Sequence, residues 1–345
     1  MEERIEAEPR IVLPDEAPRV LCRVENLKVH IPITKGLMKH RIGTVKAVDG
    51  VSFAIEEGET FGVVGEAGSG KTTLGNCLLL REKYTDGSFE YDGRNQRDLS
   101  RAEIRGEQRA RQKINNQAFF ALDQTLNVQE LITEEVRMDR TLSRIQLEEL
   151  AEEMMEIVGL YPDIRYHDAA QLTLEQKQRV ALARAIAKKP KFFICDEVVS
   201  GLDPALQAGM LLSIGQAKEQ LGLTCVYIGA SLSVARHVCD HVAVMYLGKL
   251  MEVADGETIY HAPKHPYTKA LIATAMMFDD GAQPEESILH GEMPSAMEPP
   301  IGCRFCTRCP HADKRCFREE PEFQEIAYHH FVACHKVTPD TTSFP

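Results

Sequence analysis

The chain has 345 residues, of which 43% are apolar and 27% charged, and its formal net charge is -12. This size suits one large domain with appendages or two modest ones, and the negative charge argues against nucleic-acid binding driven by phosphate neutralisation. The acidic, proline-containing start MEERIEAEPRIVLPDEAPRV is unlike a secretory signal, and no window approaches the roughly 20 apolar residues of a membrane span. We therefore expect a cytoplasmic protein that reaches a membrane only through a partner.

The first half of the chain begins with a predicted flexible arm over residues 1–20. Alternating apolar residues then predict strands over VENLKVHIP, VKAVDGVSFAI and ETFGVVG. A helix is expected from Lys71 to Leu80, and apolar residues at helical spacing predict another within residues 140–160.

The second half alternates between the two kinds of element. Thr173 and Gln176 form a capping-box pattern at the start of a helix expected to reach Lys188. Beyond it, the apolar segments KFFICD, LTCVYIG and HVAVMYLG alternate with helical ones. This alternation predicts a mostly parallel sheet flanked by helices.

A glycine-rich segment, GEAGSGKT, begins at Gly65, directly after the apolar run TFGVV. It fits the pattern G-x-x-x-x-G-K-[ST] between a strand and a helix, which is the context that this phosphate-binding loop requires. Its glycines let backbone N–H groups curl around phosphate oxygens at a helix N-terminus. Lys71 is expected to reach the β- and γ-phosphates of ATP, and Thr72 to offer a hydroxyl to Mg²⁺. The residues assigned to nucleotide binding here are Gly65, Gly68, Ser69, Gly70, Lys71, Thr72 and Thr73.

A second candidate segment, KFFICDE, ends an apolar strand with two adjacent carboxylates. We expect Asp196 to hold Mg²⁺ through water and Glu197 to polarise the attacking water. Taken alone, two acids at a strand end are also consistent with simple solvation. Beside a phosphate loop, the metal-binding and catalytic roles are favoured.

Several longer segments match known patterns: VKAVDGVSF, QKQRVALARAIAKKPKFFICDE, SGLD at 200–203 and HVAVMYLGKLMEVAD. On these segments the chain resembles the ATP-binding cassette (ABC) family over about residues 22–336. HPYTKAL at 265–271 and the tail GCRFCTRCPHADKRC…VACH are similar to segments found mainly in ATPase subunits of oligopeptide, dipeptide and nickel importers. The resemblance is therefore most specific to that branch.

The resemblance implies an α/β fold of the P-loop NTPase (RecA-like) type. It places an ABC nucleotide-binding domain at 21–255, with a helical subdomain at about 110–185, and a C-terminal extension at 256–345. Two such subunits sandwich ATP, each site pairing one subunit's phosphate loop with the other's signature motif. The implied partners are a second ATPase subunit and integral membrane permease subunits, with this chain on the inner face of the membrane.

The resemblance also assigns roles outside the phosphate loop. It implies that Gln117 senses Mg²⁺ and the attacking water, and that Asp203 makes a contact across the dimer interface. Thr173 and Gln176 belong to the signature segment, which faces the partner's nucleotide.

The signature segment departs from the family pattern, because Leu-Ser-Gly-Gly-Gln is replaced by LTLEQ at 172–176. Leu174 and Glu175 add bulk where two glycines allow close approach to the γ-phosphate. Glu175 also adds negative charge, and one like-charge pair at about 4 Å costs roughly 4 kcal/mol at an effective dielectric near 20. A salt bridge from a partner would offset this cost.

Three further positions differ from the family. Ala230 stands where a histidine contacts the γ-phosphate, and alanine can neither donate that hydrogen bond nor carry a proton. After Gln117 the family's Asp-Pro-aromatic stretch is replaced by Ala-Phe-Phe. The aromatic residue that stacks on adenine is replaced by His30 or Ile31. We therefore expect Mg-ATP binding with weak hydrolysis.

Five of the ten cysteines lie in the C-terminal tail. Because cytosolic proteins seldom hold stable disulfides, this cluster is expected to bind metal. The resemblance implies a [4Fe–4S] cluster, and soft sulfur ligands suit one. Zn²⁺ with nearby histidines is the competing interpretation. Cys306, an extra thiol, either replaces one ligand or stays unused. The expected metal ligands are Cys303, Cys309, Cys316 and Cys334, and the candidate zinc histidines are His311, His329, His330 and His335.

Together these features favour the ATP-binding subunit of a peptide- or nickel-type importer, paired with a different cassette in a heterodimer. The alternative is a soluble regulatory or assembly factor that uses ATP binding as a conformational switch without transport. The altered segments favour the alternative, whereas HPYTKAL and the cysteine tail favour the importer.

Overall fold

A computed structural model describes residues 19–36, 40–138, 141–280 and 291–339. Residues 1–18 of the predicted arm lie outside the described residues. The helices and strands expected from the apolar patterns are present, with their ends shifted by a few residues. The strands are β1 (Val20–Lys35), β2 (His40–Glu56), β3 (Thr60–Val64), β4 (Asp86–Tyr91), β5 (Arg94–Asn95), β6 (Arg111–Asn115), β7 (Phe192–Asp196), β8 (Thr224–Gly229), β9 (His241–Tyr246), β10 (Lys249–Asp255), β11 (Gln324–Ala327) and β12 (His330–Val332).

The helices flank these strands, and each begins where the sequence supplies a cap or a loop. The helix expected within 140–160 is confirmed, and Ser143 caps it. The helices are α1 (Lys71–Leu78), α2 (Arg101–Ala110), α3 (Val128–Met138), α4 (Arg144–Ile157), α5 (Leu174–Ile186), α6 (Pro204–Leu221), α7 (Leu232–Val238), α8 (Gly256–His261), α9 (Pro266–Asp280) and α10 (Lys314–Arg318).

The strands form two sheets. The smaller one is antiparallel, with strand order β2-β1-β4-β5. The larger one has strand order β11-β12-β10-β9-β3-β8-β7-β6. Its strands β6, β7, β8, β3 and β9 pair in parallel with one another in that order, as the alternation of strands and helices predicts, and β9 pairs antiparallel with β10. The predicted α/β architecture is therefore confirmed.

The end of the chain continues the larger sheet. Strand β12 pairs antiparallel with β10, and β11 pairs with β12. Phe305 is buried against Tyr246 of β9 and Tyr267 of α9, with ring centroids 5.3 Å away from each. Aromatic contacts of this geometry add to simple burial. The cysteine-containing tail is thus packed onto the core.

The carboxyl ends of β3, β7 and β8 meet at one edge of the sheet because these strands are parallel neighbours. Ligands in open α/β sheets bind outside such carboxyl ends. The phosphate loop follows β3, the two acids follow β7, and Ala230 follows β8. The fold therefore brings these three sequence features to the same place.

Candidate functional site

The phosphate loop joins β3 to α1, and two of its glycines are required by close backbone approach. A Cβ on Gly65 would lie 2.1 Å from the carbonyl oxygen of Met245. Gly70 has φ +104°, and a Cβ there would lie 2.0 Å from the carbonyl oxygen of Ala47. No side chain fits at either position without moving the backbone.

Lys71 turns its side chain back over this loop. Its Nζ donates to the carbonyl oxygens of Gly65, at 2.6 Å, and Glu66, at 2.8 Å. Burial lowers the pKa of Lys71, while the carboxylates of Glu197, Asp196 and Glu66 oppose that shift. The loop therefore holds an ammonium group at its centre, where a phosphate group would bind.

Asp196 lies beside the loop with both carboxylate oxygens engaged. Thr72 Oγ1 donates to Oδ1 at 3.2 Å, and Lys113 Nζ donates to Oδ2 at 2.5 Å. The Asp196 side chain is only 6% exposed and the Lys113 side chain 11%. Hydroxyl and carboxylate oxygens are suitable ligands for Mg²⁺. Thr72 and Asp196 therefore fit the magnesium ion predicted from the sequence.

Lys113 is a site residue that the sequence analysis missed. Strand β6 pairs in parallel with β7, placing Asn115 beside Asp196 and Lys113 beside Ile194. Strand β6 has the mostly polar sequence RQKIN, which gives no clear local signal for this residue. Its partner could not be read from the sequence, because the pairing of β6 with β7 is set by the whole sheet.

Glu197 has a left-handed backbone, with φ +54°. Its amide donates to the carbonyl oxygen of Ile228 at 2.8 Å, which ties it to β8. Non-glycine residues rarely adopt this conformation, and those that do cluster at functional sites. The structure thus places Glu197 directly after Asp196 at the mouth of the site.

Ala230 directly follows β8, whose last two residues accept backbone hydrogen bonds from the phosphate loop and from Glu197. The Gly65 amide donates to the Gly229 carbonyl at 3.3 Å, next to the bond between Glu197 and Ile228. The exposed methyl of Ala230 brings neither a proton donor nor an acceptor to this position.

Gln117 lies on the exposed loop after β6, where its amide donates to Asn115 Oδ1 at 3.2 Å. Beside it is a cleft of about 650 Å³ that is also lined by Phe119, Phe120 and Leu174. Phe119 is buried, whereas Phe120 is 75% exposed. The altered loop therefore presents an aromatic surface.

The signature segment begins α5, and its predicted capping box is confirmed. Thr173 Oγ1 accepts from the Gln176 amide, and Gln176 Oε1 accepts from the Thr173 amide. Glu175 Oε1 accepts from Arg179 Nη2 at 2.8 Å within the same helix. The charge of Glu175 is thus balanced by its own chain, without a partner.

Asp203 performs a local structural role in the single chain. Its Oδ1 accepts from the amides of Ala205 and Leu206, each at 3.1 Å, which caps α6. The residue is exposed, so this capping leaves it at the surface.

The two candidates for the adenine-facing position differ in their surroundings. The His30 ring pairs through Nε2 with Asp49 Oδ1 at 2.7 Å. Ile31 is 37% exposed. The imidazole is therefore engaged by Asp49, whereas the Ile31 side chain is at the surface.

The tail cysteines are free thiols. The Cys303 amide donates to the Cys316 carbonyl at 2.8 Å, and burial raises the pKa of the Cys303 thiol to about 12. Burial also raises the pKa values of Cys309 and Cys334. Across the described ranges, no three His, Cys, Asp or Glu side chains are placed so that they could hold one metal ion. The predicted tetrad is not assembled in this structure, and metal binding stays a prediction.

Two of the candidate zinc histidines have other partners. The buried His330 Nε2 lies 2.8 Å from Glu252 Oε1, and His335 Nε2 lies 3.0 Å from the Glu319 carbonyl oxygen. These contacts give both rings structural roles.

The tail also contacts the phosphate loop. Arg308 Nη1 donates to both carboxylate oxygens of Glu66, at 3.1 and 3.0 Å, and to Tyr246 Oη at 3.3 Å. The Glu66 amide donates to Tyr267 Oη at 2.9 Å. The residue following Gly65 is therefore fixed from two directions by the C-terminal part of the chain.

Comparison with known proteins agrees with this geometry. The family described as "ABC transporter" matches residues 48–200, and "Oligopeptide/dipeptide transporter, C-terminal region" matches residues 251–316. The chain is 39% identical over 318 residues to the putative oligopeptide transport ATP-binding protein YkfD of Bacillus subtilis (strain 168). That match covers 91% of this chain and 95% of YkfD. The chain belongs to the ABC transporter family, in its oligopeptide/dipeptide branch.

Other relatives support the same membership and fold. The oligopeptide transport ATP-binding protein AppF of the same organism is 37% identical over 318 residues, covering 91% of this chain and 97% of AppF. The solved structure of cbiO1 from Clostridium perfringens, part of the ABC transporter complex cbiONQ, matches with a TM-score of 0.61 at 20% identity. It covers 76% of this chain and 96% of cbiO1. The P-loop NTPase fold predicted from the sequence is confirmed.

None of the helices in the described ranges is long and apolar enough to cross a membrane.

Proposed function

We propose that this chain is the ATP-binding subunit of an ABC importer for oligopeptides or dipeptides, acting at the cytoplasmic face of the membrane. The observation that carries the proposal is the phosphate loop around Lys71, adjacent to Asp196 and Glu197, in a chain of the oligopeptide/dipeptide branch. Its relatives YkfD and AppF are named as oligopeptide transport ATP-binding proteins.

In this proposal the loop residues bind the triphosphate, and Thr72 with Asp196 holds Mg²⁺. The bound ion would neutralise phosphate charge. Glu197 orients the attacking water, and its backbone contact with Ile228 fixes its position. Gln117 is the second water-facing residue. Thr173, Gln176 and Asp203 face the nucleotide and the loop of the partner subunit.

Hydrolysis is proposed to be slow. Ala230 offers no group that could stabilise the γ-phosphate, although the neighbouring β8 residues contact both Gly65 and Glu197. We therefore expect ATP to bind, because the phosphate loop is intact, but to be hydrolysed slowly, because one contact to the transferred phosphate is missing. Purified protein should turn over well below the median enzyme rate of about 10 per second.

A heterodimer is the assembly that this arrangement favours. In a homodimer each site would contain both the Ala230 and the Leu174–Glu175 changes. With an intact partner, each site contains one of them. The pairing of Glu175 with Arg179 reduces the charge cost of the second change but leaves the bulk of Leu174, which is 43% exposed.

The permease subunits are proposed to dock at the cleft beside Gln117. The exposed ring of Phe120 and the side chain of Leu174 give this cleft an apolar surface. Exposed aromatic groups of this kind are typical of protein contacts.

The alternative function is a non-transport regulatory or assembly ATPase. The observation that favours it is the altered segment after Gln117, where Ala118 and Phe119 replace the residues that usually follow this glutamine. Co-purification from detergent-solubilised membranes, followed by an ATPase assay of what assembles, separates the two functions. Membrane subunits in the complex support the importer, and their repeated absence supports the regulatory factor.

Cluster binding by the tail is a separate part of the proposal. The proposed ligands are Cys303, Cys309, Cys316 and Cys334, and four thiolates suit a [4Fe–4S] cluster better than a hard metal. Metal analysis and visible absorbance of protein purified without oxygen distinguish iron with a broad visible band from zinc, or from no metal.

A further inference from the structure

Lys113 is a second, largely buried cation at the nucleotide site, and the sequence motifs assign it no role. Its Nζ lies 2.5 Å from Asp196 Oδ2 and 3.3 Å from Asn76 Oδ1. The ion pair is largely shielded from water, with side chains 11% and 6% exposed. Pairs in such surroundings are screened less than surface pairs.

The charges around the loop are balanced because Lys113 is present. Without it, the carboxylates of Asp196 and Glu197 would outnumber the single ammonium of Lys71, and a triphosphate would meet excess negative charge. A divalent cation normally removes that excess. With Lys113 paired to Asp196, two ammonium groups stand against two carboxylates before any metal binds.

We propose that Lys113 sets the metal dependence of this site, so that it binds ATP with or without Mg²⁺. This inference rests on the proposed function, since it concerns the same nucleotide. Because Lys113 occupies one oxygen of Asp196 and Thr72 the other, Mg²⁺ must compete for that carboxylate. Nucleotide binding therefore depends less on Mg²⁺ than in a site with one lysine.

The test is calorimetric titration of the full chain with ATP, once in Mg²⁺ and once in EDTA. For the unaltered protein we expect the two dissociation constants to differ by less than about tenfold, and for Lys113→Met by more than about a hundredfold. Lys113→Arg, which keeps the charge, should behave like the unaltered protein. Lys188→Met is the control, because Lys188 forms a salt bridge with Glu135 on the helical part of the chain.

The outcomes separate the two claims. Absence of ATP binding in both buffers overturns the proposed function. If ATP binding by the unaltered protein weakens more than about a hundredfold in EDTA, the proposed role of Lys113 is overturned. This measurement does not depend on whether any variant folds. Equal metal dependence in the unaltered protein and Lys113→Met also overturns it.

A metal probe provides an independent measurement. Mn²⁺ binding to nucleotide-free protein, followed by electron paramagnetic resonance, should be at least about tenfold tighter in Lys113→Met than in the unaltered protein. The expected cause is release of Asp196 Oδ2 from its ion pair. Equal Mn²⁺ affinity in the two proteins would show that Lys113 does not compete with the metal.

Discussion

Ala230 is the residue whose replacement reports most directly on hydrolysis. Ala230→His restores a side chain that can donate to the γ-phosphate and carry a proton, and general acid–base contributions are typically about 10²–10⁴-fold. We expect turnover to rise at least about tenfold, measured as phosphate release at saturating ATP.

The matched control is Ala110→His at the exposed end of α2, which should leave turnover unchanged. The gain must also disappear when Glu197→Gln is added, since both residues act on the same water. A gain that survives loss of Glu197, or no gain at all, contradicts the assigned role of position 230.

His265, which begins the HPYTKAL segment, is buried, and its Nδ1 accepts from the Tyr267 amide at 3.0 Å. Burial lowers the pKa of His265 to about 4, from 6.5. Below pH 6.5, His265 is therefore protonated in the unfolded chain but stays neutral in the native protein. Stability is lost as the pH falls, by about 1.4 kcal/mol for each pH unit between 6.5 and 4.

His265→Asn should remove this dependence. Between pH 6.5 and 5 the unaltered protein should lose about 2 kcal/mol more than the variant, measured by urea unfolding. His241 acts in the opposite direction, because its hydrogen bond to Glu59 raises its pKa and its stabilisation is lost as the pH rises. The same loss in both proteins would contradict the buried neutral state. His261→Asn on α8 is the control.

Among the elements, the tail and the phosphate loop are coupled through Arg308. Its side chain is 5% exposed and contacts Glu66 and Tyr246. Hydrogen bonds to charged groups typically contribute about 1.5–3 kcal/mol. Arg308→Ala should therefore lower the free energy of unfolding by about 2 kcal/mol.

Arg315→Ala provides the comparison within the same tail. Arg315 pairs with Glu319 at 2.8 Å, but both side chains are about 60% exposed. Such a pair contributes little, so the loss should be below about 1 kcal/mol. Equal effects of the two substitutions would show that the loop contact adds no stability.

The sequence predicts the longer elements well, and the reasons are local. Thr173 and Gln176 specify the start of α5, and the apolar run before Asp196 specifies β7. Strands β11 and β12 were not predicted, because they are short and exist only through pairing with β10. The ion pair between Lys113 and Asp196 was missed for a related reason, since sheet register depends on the whole fold.

For the whole molecule, the motifs predicted which segments converge but not how the C-terminal part supports them. The approach of Arg308 to Glu66 joins positions 242 residues apart, which no local pattern encodes. The compensation of Glu175 by Arg179 was also missed, although the two lie four residues apart on one helix. A spacing of four residues was a readable signal for that pair.

The central claim is that the loop around Lys71 binds ATP, and calorimetric titration of the full chain tests it most directly. We predict one ATP bound per chain with a dissociation constant of micromolar order, corresponding to about -8 kcal/mol. Lys71→Ala should weaken this binding at least about tenfold, whereas Lys188→Met should not change it. Absence of binding by the unaltered protein, or equal binding by Lys71→Ala, would contradict the account.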